Sequence, residues 1–213
     1  GNGNVTGSNN VASGTNAGFS LTSGGANVFL GYLAGYNNQT GCCNIAIGYE
    51  AGRCATDKRD NISIGMRAAK CATGSFNISM GFCGGYKSTA DSNVFVGHYA
   101  GANATSGANN IFLGKNSASG AAVTGNNNIT IGCKSGRLLT SGASNVFVGT
   151  YSGSSGSAVT GSYNLAMGEN AGKNITSGSE NVILGYESGK QIQGGSNNTF
   201  LGARAGRCVF FFF

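Results

Sequence analysis

Seven cysteines and a lone histidine are the side chains of this 213-residue chain best suited to chemistry. Two of the cysteines, Cys54 and Cys71, stand 17 residues apart, and so do the cations Arg53 and Lys70 just before them. The same interval separates Lys173, Lys190 and Arg207. A thiol pair can close a disulfide when its Cα atoms lie about 4.4–6.8 Å apart. A row of cations can hold sulfated or acidic glycans, or an anionic cell surface. Catalytic sets are harder to assemble. A Ser–His–acid triad needs an ordered acid beside its histidine, and nothing singles one out for His98. There is no Cys-x-x-Cys, and one histidine cannot complete a Cys/His zinc set. No glycine-rich stretch leads into Gly-Lys-Ser/Thr, so no phosphate loop is spelled. The expectation is a non-catalytic protein with no metal and no cofactor.

Composition narrows the class. Gly occurs 39 times, Pro and Trp never, and charged residues make up 9%, against about 25% in an ordinary globular domain. So much Gly with so few charges excludes a helical bundle. The absence of Pro and of a three-residue Gly period excludes collagen. The net charge of +6 rests on 13 basic and 7 acidic residues, too sparse for a nucleic-acid surface. No run of 18 apolar residues exists, so no membrane-spanning helix is expected. The chain opens at Gly1 without a signal-like apolar core, which reads as a mature product or a piece of a longer protein.

A repeat must position these side chains. Asn, aliphatic, any residue, aliphatic, Gly recurs as Asn27-Val28-Phe29-Leu30-Gly31 and Asn44-Ile45-Ala46-Ile47-Gly48. It continues from Asn61, Asn77, Asn93, Asn110, Asn128, Asn145, Asn164, Asn181 and Asn198, with a weaker first copy at Asn10. Taking Asn as position zero, alternation puts +1 and +3 on one face of a strand and +2 on the other. With Val, Ile, Leu or Met almost throughout, +1 and +3 are expected to face the core. Phe29, Phe95, Phe112, Phe147 and Phe200 at +2 are then expected to pack against another chain. Gly fills +4 in every copy, and +8 in all but Ala69 and Ala118, which marks two tight corners. The fold class that follows is all-β: a parallel β-solenoid (β-roll) of about twelve coils of about 17 residues. It runs over residues 1–208 as one solenoid, followed by an apolar tail at 209–213 that includes Phe210 to Phe213.

Within that frame the chemistry acquires positions. The Asn column from Asn27 to Asn198 is expected to hydrogen-bond along the axis as an amide ladder. Cys54 and Cys71 share +10 in consecutive coils, about 4.8 Å apart, and form the candidate disulfide. Cys42, Cys43, Cys83, Cys133 and Cys208 have no evident partner. Arg53, Lys70, Arg137, Lys173, Lys190 and Arg207 share +9 as a candidate stripe for an anionic ligand, the plain alternative being a solvated edge. Of the Asn-x-Ser/Thr sequons, which include one at Asn4, Asn38, Asn103 and Asn174 fall at +10 or +11. That is read as an outer loop open to glycosylation. A Thr lies four or five residues before eleven of the anchors, including Thr22, Thr40, Thr73, Thr105, Thr140 and Thr176.

The Asn-Ile-Ala-Ile-Gly-x-x-Ala-Gly of Asn44 to Gly52 resembles the head repeats of trimeric autotransporter adhesins. The longer form, Gly41-Cys42-Cys43-Asn44 through Gly48-Tyr49-Glu50-Ala51-Gly52, is similar to repeats of phage and viral tail-fibre-like proteins. The resemblance covers residues 10–207, although the coils here are longer and the cysteines more numerous than in adhesin heads. It implies a left-handed β-roll, three chains side by side, and an extracellular attachment role. The expected function is a rigid extracellular, cell-surface or virion-surface fibre for multivalent attachment. Its partners would be itself, as a homotrimer or end-to-end filament, and a cell-surface glycan or receptor, with no nucleic acid and no membrane insertion. An ice-binding solenoid, ordering water on the Thr column, is the alternative.

Overall fold

The computed structural model describes residues 5–208, so the Asn4 sequon and the tail from residue 209 lie outside them. The described residues are all-β: twelve three-residue strands, one per repeat, and no helix. They fall into two compact units, one up to Thr105 and one from Ser106. The first unit carries β1 (Val11–Ser13), β2 (Val28–Leu30), β3 (Ile45–Ile47), β4 (Ile62–Ile64), β5 (Ile78–Met80) and β6 (Val94–Val96). The second carries β7 (Ile111–Leu113), β8 (Ile129–Ile131), β9 (Val146–Val148), β10 (Leu165–Met167), β11 (Val182–Leu184) and β12 (Thr199–Leu201). Within each unit every strand pairs in parallel with the next in sequence, always +1 to +1 and +3 to +3. The chain is a parallel β-solenoid.

The Asn residues form the hinge of each coil. Asn27 Oδ1 accepts two bonds from Asn44, from the backbone N–H at 2.9 Å and from Nδ2 at 3.1 Å. Asn44 Nδ2 also donates to the Lys58 carbonyl at 2.7 Å. The arrangement repeats in the second unit, where Asn145 donates to Asn128 Oδ1 at 2.9 and 3.1 Å and to the Gly161 carbonyl at 2.9 Å. One buried amide thus satisfies groups in the coil before it and the coil after it.

Gly at +4 answers two demands together. Gly48 has φ +131°, and a Cβ there would stand 2.6 Å from the carbonyl oxygen of Gly65 in the next coil. Two further corners carry positive φ without glycine. The residue before each Asn and the residue at +6 both have φ between 52° and 62° in all twelve repeats, at side chains as large as Phe76, Tyr99 and Arg67. Such backbone costs about 1–3 kcal/mol per residue. What it achieves is a reversal of the amide. Cys43 and Glu50 donate back to Gly25 and Tyr32 of the previous coil, whereas Ile45 and Gly52 donate forward to Asn61 and Ala68.

The interior reverses one expectation. Phe29, Phe95, Phe112 and Phe147 are at most 1% exposed within a single chain, and Phe200 is half-buried. They fill the coil and cannot form an interchain face. The aliphatic +1 and +3 residues point outward instead. Alternation separates the two faces of a strand but does not say which is inside. That is decided by the direction in which the corners turn, and here the +8 corner folds towards +2: Gly35 packs directly against the Phe29 ring. The core is completed by +7 residues such as Ala34 and Ser152 and by +11 residues such as Leu139, Ile175 and Ile192.

Two substitutions test this architecture in thermal or urea melts. Asn145→Ala strands the Asn164 amide and the Gly161 carbonyl and is expected to cost about 1–3 kcal/mol for each. Gly48→Ala is expected to lose at least about 1–3 kcal/mol from its φ alone, with the clash added. Near-native stability of either variant would show that these corners are not held as described.

Candidate functional site

Each unit presents an outward sheet face built from its +1 and +3 residues. Neither +1 nor +3 carries a charged residue in any repeat. Met80, Ile131 and Met167 at +3 are 37%, 37% and 42% exposed. In the first unit the apolar band widens at +5. Tyr32 stacks on Tyr49 with ring centroids 5.1 Å apart, and Phe82 stacks on His98 at 5.2 Å. Those separations are close to the inter-strand spacing of about 4.8 Å, because stacked coils place equivalent side chains one above another. His98 also meets the edge of Tyr99 at 4.6 Å, so it belongs to an aromatic column.

The cationic stripe is largely engaged. Glu50, 5% exposed, receives Arg53 of its own coil at 2.8 Å and Arg67 and Lys70 of the next coil at 3.0 and 2.7 Å. Glu187, 6% exposed, is held in the same way by Lys190 at 2.6 Å, Arg204 at 3.4 Å and Arg207 at 3.2 Å. Each is a clip that ties two consecutive coils through one buried carboxylate. Four of the six stripe residues, Arg53, Lys70, Lys190 and Arg207, are therefore occupied. Lys173 lies over the Tyr151 ring at 5.1 Å, and Arg137 is exposed. Sequence reasoning missed both glutamates, although the signal was present. Tyr49-Glu50-Ala51-Gly52-Arg53 followed by Arg67 and Lys70 matches Tyr186-Glu187-Ser188-Gly189-Lys190 followed by Arg204 and Arg207.

These contacts shift the carboxyls. Burial pushes Glu50 up, but hydrogen bonds from Lys70 and Arg67 and the charges of Lys70 and Arg53 outweigh it and hold it below the usual range. The Lys190 hydrogen bond, with the charges of Arg207, Lys190 and Arg204, holds Glu187 down against its burial.

Cys54 and Cys71 lie side by side as thiols, with burial and the neighbouring Cys71 pushing Cys54 up. Cys71 also meets the Tyr86 hydroxyl, and Cys42 and Cys43 hydrogen-bond each other. Cys83 is buried, which raises its thiol. The glycosylation candidates divide. Asn38 is 1% exposed and closed to an enzyme in the folded chain, because +11 points into the coil rather than outward. Asn103 and Asn174, at +10, are half-buried, and Asn174 Nδ2 donates to Gln191 at 2.8 Å. On the threonine column, the hydroxyls of Thr22, Thr89 and Thr140 donate to the Gln39, Thr105 and Val159 carbonyls at 3.0–3.2 Å. Among the described residues, no three or more His, Cys, Asp or Glu side chains gather as metal ligands.

By fold, the chain is a β-solenoid repeat protein. No family model, curated protein or solved structure matches it.

The clips give stability a defined pH dependence. A carboxyl lowered by folding contributes stability above its unfolded pKa and loses it as pH falls through the folded one. Melting temperatures of the wild type and of Glu50→Gln/Glu187→Gln are expected to differ most near pH 7 and to converge below about pH 4. A gap constant from pH 7 to pH 3 would contradict the clips.

Proposed function

We propose that the chain is a segment of an extracellular structural fibre, assembled as a homotrimer, that presents a rigid repetitive surface for multivalent attachment. The observation that carries this reading is the uncharged aliphatic sheet face at +1 and +3. Contiguous exposed apolar surface marks an interaction site, and an uncharged, repeating face suits a copy of itself. The resemblance of the Asn-Ile-Ala-Ile-Gly repeats to adhesin heads and tail fibres supports the trimer and the attachment role. Such a fibre would gain affinity from many weak contacts along its length. Ice binding is less well supported, since the hydroxyls of Thr22, Thr89 and Thr140 in the column are turned to carbonyls of the next coil. In an oxidising compartment the Cys54 and Cys71 thiols would close a disulfide between consecutive coils.

Light scattering tests the assembly. The expected native mass is three times the 21.3 kDa of one chain, falling to one chain in Ile47→Glu/Val148→Glu with an unchanged β-sheet circular dichroism spectrum. A wild-type monomer would refute the trimer, and very large particles would favour an end-stacked filament. Peptide mapping of protein secreted from an oxidising compartment is expected to yield a Cys54–Cys71 linked pair. Full alkylation of both thiols without reductant would refute it.

A further inference from the structure

Cations at the corner formed by +6 and +9 have two fates in this protein. At Glu50 and at Glu187 a buried carboxylate at +6 collects three of them: the +9 cation of its own coil and the +6 and +9 cations of the next. In the second unit, the coils anchored at Asn128, Asn145 and Asn164 carry cations there without the acid. Lys134 stands at +6 and Arg137 at +9 of the first, and Lys173 at +9 of the third. The +6 position of the middle coil holds Tyr151. Among the described residues, no carboxylate pairs with Lys134, Arg137 or Lys173. Glu169, the only acid between +5 and +9 of these coils, is exposed and accepts from the Asn170 amide at 3.4 Å.

Tyr151 organises what is left. The Lys134 ammonium, from the preceding coil, donates to its hydroxyl oxygen at 2.9 Å and lies 5.1 Å from its ring centroid. The Lys173 ammonium, from the following coil, also lies 5.1 Å from the centroid. An aromatic ring attracts cations through its quadrupole, but it carries no net charge. The two ammonium groups are therefore held in place and left unneutralised. Because the hydroxyl oxygen accepts from Lys134, the phenolic proton is left to donate outward. Arg137 follows Lys134 by three residues, the offset at which Arg53 reaches Glu50 and Lys190 reaches Glu187.

We propose that Lys134, Tyr151 and Lys173, with Arg137 as an outer contact, bind an anionic group of an acidic polysaccharide, a sulfate ester or a uronate carboxylate. The oxygens of the ligand take the place that Glu50 and Glu187 fill elsewhere. They receive charge-assisted hydrogen bonds from the two ammonium groups and one more from the phenol. That the anion is borne by a polysaccharide rests on the attachment role proposed above, whereas the anion site rests on the corner geometry. Four other cations of the +9 column, Arg53, Lys70, Lys190 and Arg207, are committed to the clips, so binding centres on this stretch.

Titration of the intact chain with heparin and with polygalacturonate tests the site. The wild type is expected to bind at least one of them, and the tighter of the two names the anion. Lys134→Ala/Lys173→Ala is expected to bind at least about tenfold more weakly with an unchanged circular dichroism spectrum. Lys58→Ala/Lys87→Ala removes the same charge from the first unit and is expected to stay within about twofold of wild type. Tyr151→Glu sets a carboxylate among the cations and is expected to abolish binding. Equal losses in the two double variants would overturn the site in favour of diffuse charge, and so would a wild type that binds neither polysaccharide. Binding to phosphatidylserine vesicles alone would overturn it in favour of a membrane surface. Light scattering of the same samples keeps the two readings apart. A trimer that ignores both polysaccharides refutes this site and leaves the fibre, whereas a monomer that binds one through Lys134 and Lys173 refutes the trimer and leaves the site.

Discussion

Every coil of this protein depends on its neighbours for backbone hydrogen bonds. A strand of three residues has too little surface to hold itself, and the corners between strands expose as many polar groups as the strands do. The Asn amide meets this constraint by serving two coils at once. Its oxygen accepts from the following Asn, while its nitrogen reaches the preceding Asn and the carbonyl three residues before the next anchor. Register follows from that: a coil that slipped by one residue would bury an amide with no partner on either side. The change of coil length from 16 to 19 residues is absorbed elsewhere. The anchors of the 19-residue coil, Asn145 and Asn164, still bond at 3.0 Å.

With the corners fixed, the side chains sort by position rather than by hydrophobicity alone. Positions +2 and +7, and +11 in the coils of 16 or 17 residues, go in, whether they carry Phe, Ser or Asn. Positions +1 and +3 go out, even as Ile and Leu. The result is a protein whose exterior sheet face is more aliphatic than parts of its interior. The charges follow the same logic. Two glutamates at +6 are drawn in among cations of two coils, so much of the positive charge in the +9 column is spent on holding neighbouring coils together.

The period, the strand positions, the Asn ladder and the two glycine corners were legible in the sequence, because each depends on a residue type that does one job well. The orientation of the strand was not. Aliphatic residues at +1 and +3 outnumber the phenylalanines at +2, so counting favours the wrong face. Asn38 was misread for a related reason: a polar residue between Asn37 and Gln39 looks like loop, and only the turn of the chain sends it inward. The left-handed corners gave only a partial signal: Asn or Asp stands at some of them, such as Asn16, Asp60 and Asn109, but Leu33, Arg67 and Phe76 are poor residues for positive φ. They adopt it because the stacked coils on both sides demand an amide in that direction.

Those reversed corners have an electrical consequence. In an α-helix all the peptide groups point one way, and their moments add into a macrodipole. Here Cys43, Gly48 and Glu50 aim their N–H groups towards one end of the stack, while Ile45, Gly52 and Cys54 aim theirs towards the other. Within a single coil the axial moments largely cancel. Adding coils therefore builds up no growing field along the axis, and the length of such a stack is free of the electrostatic penalty that aligned dipoles would impose.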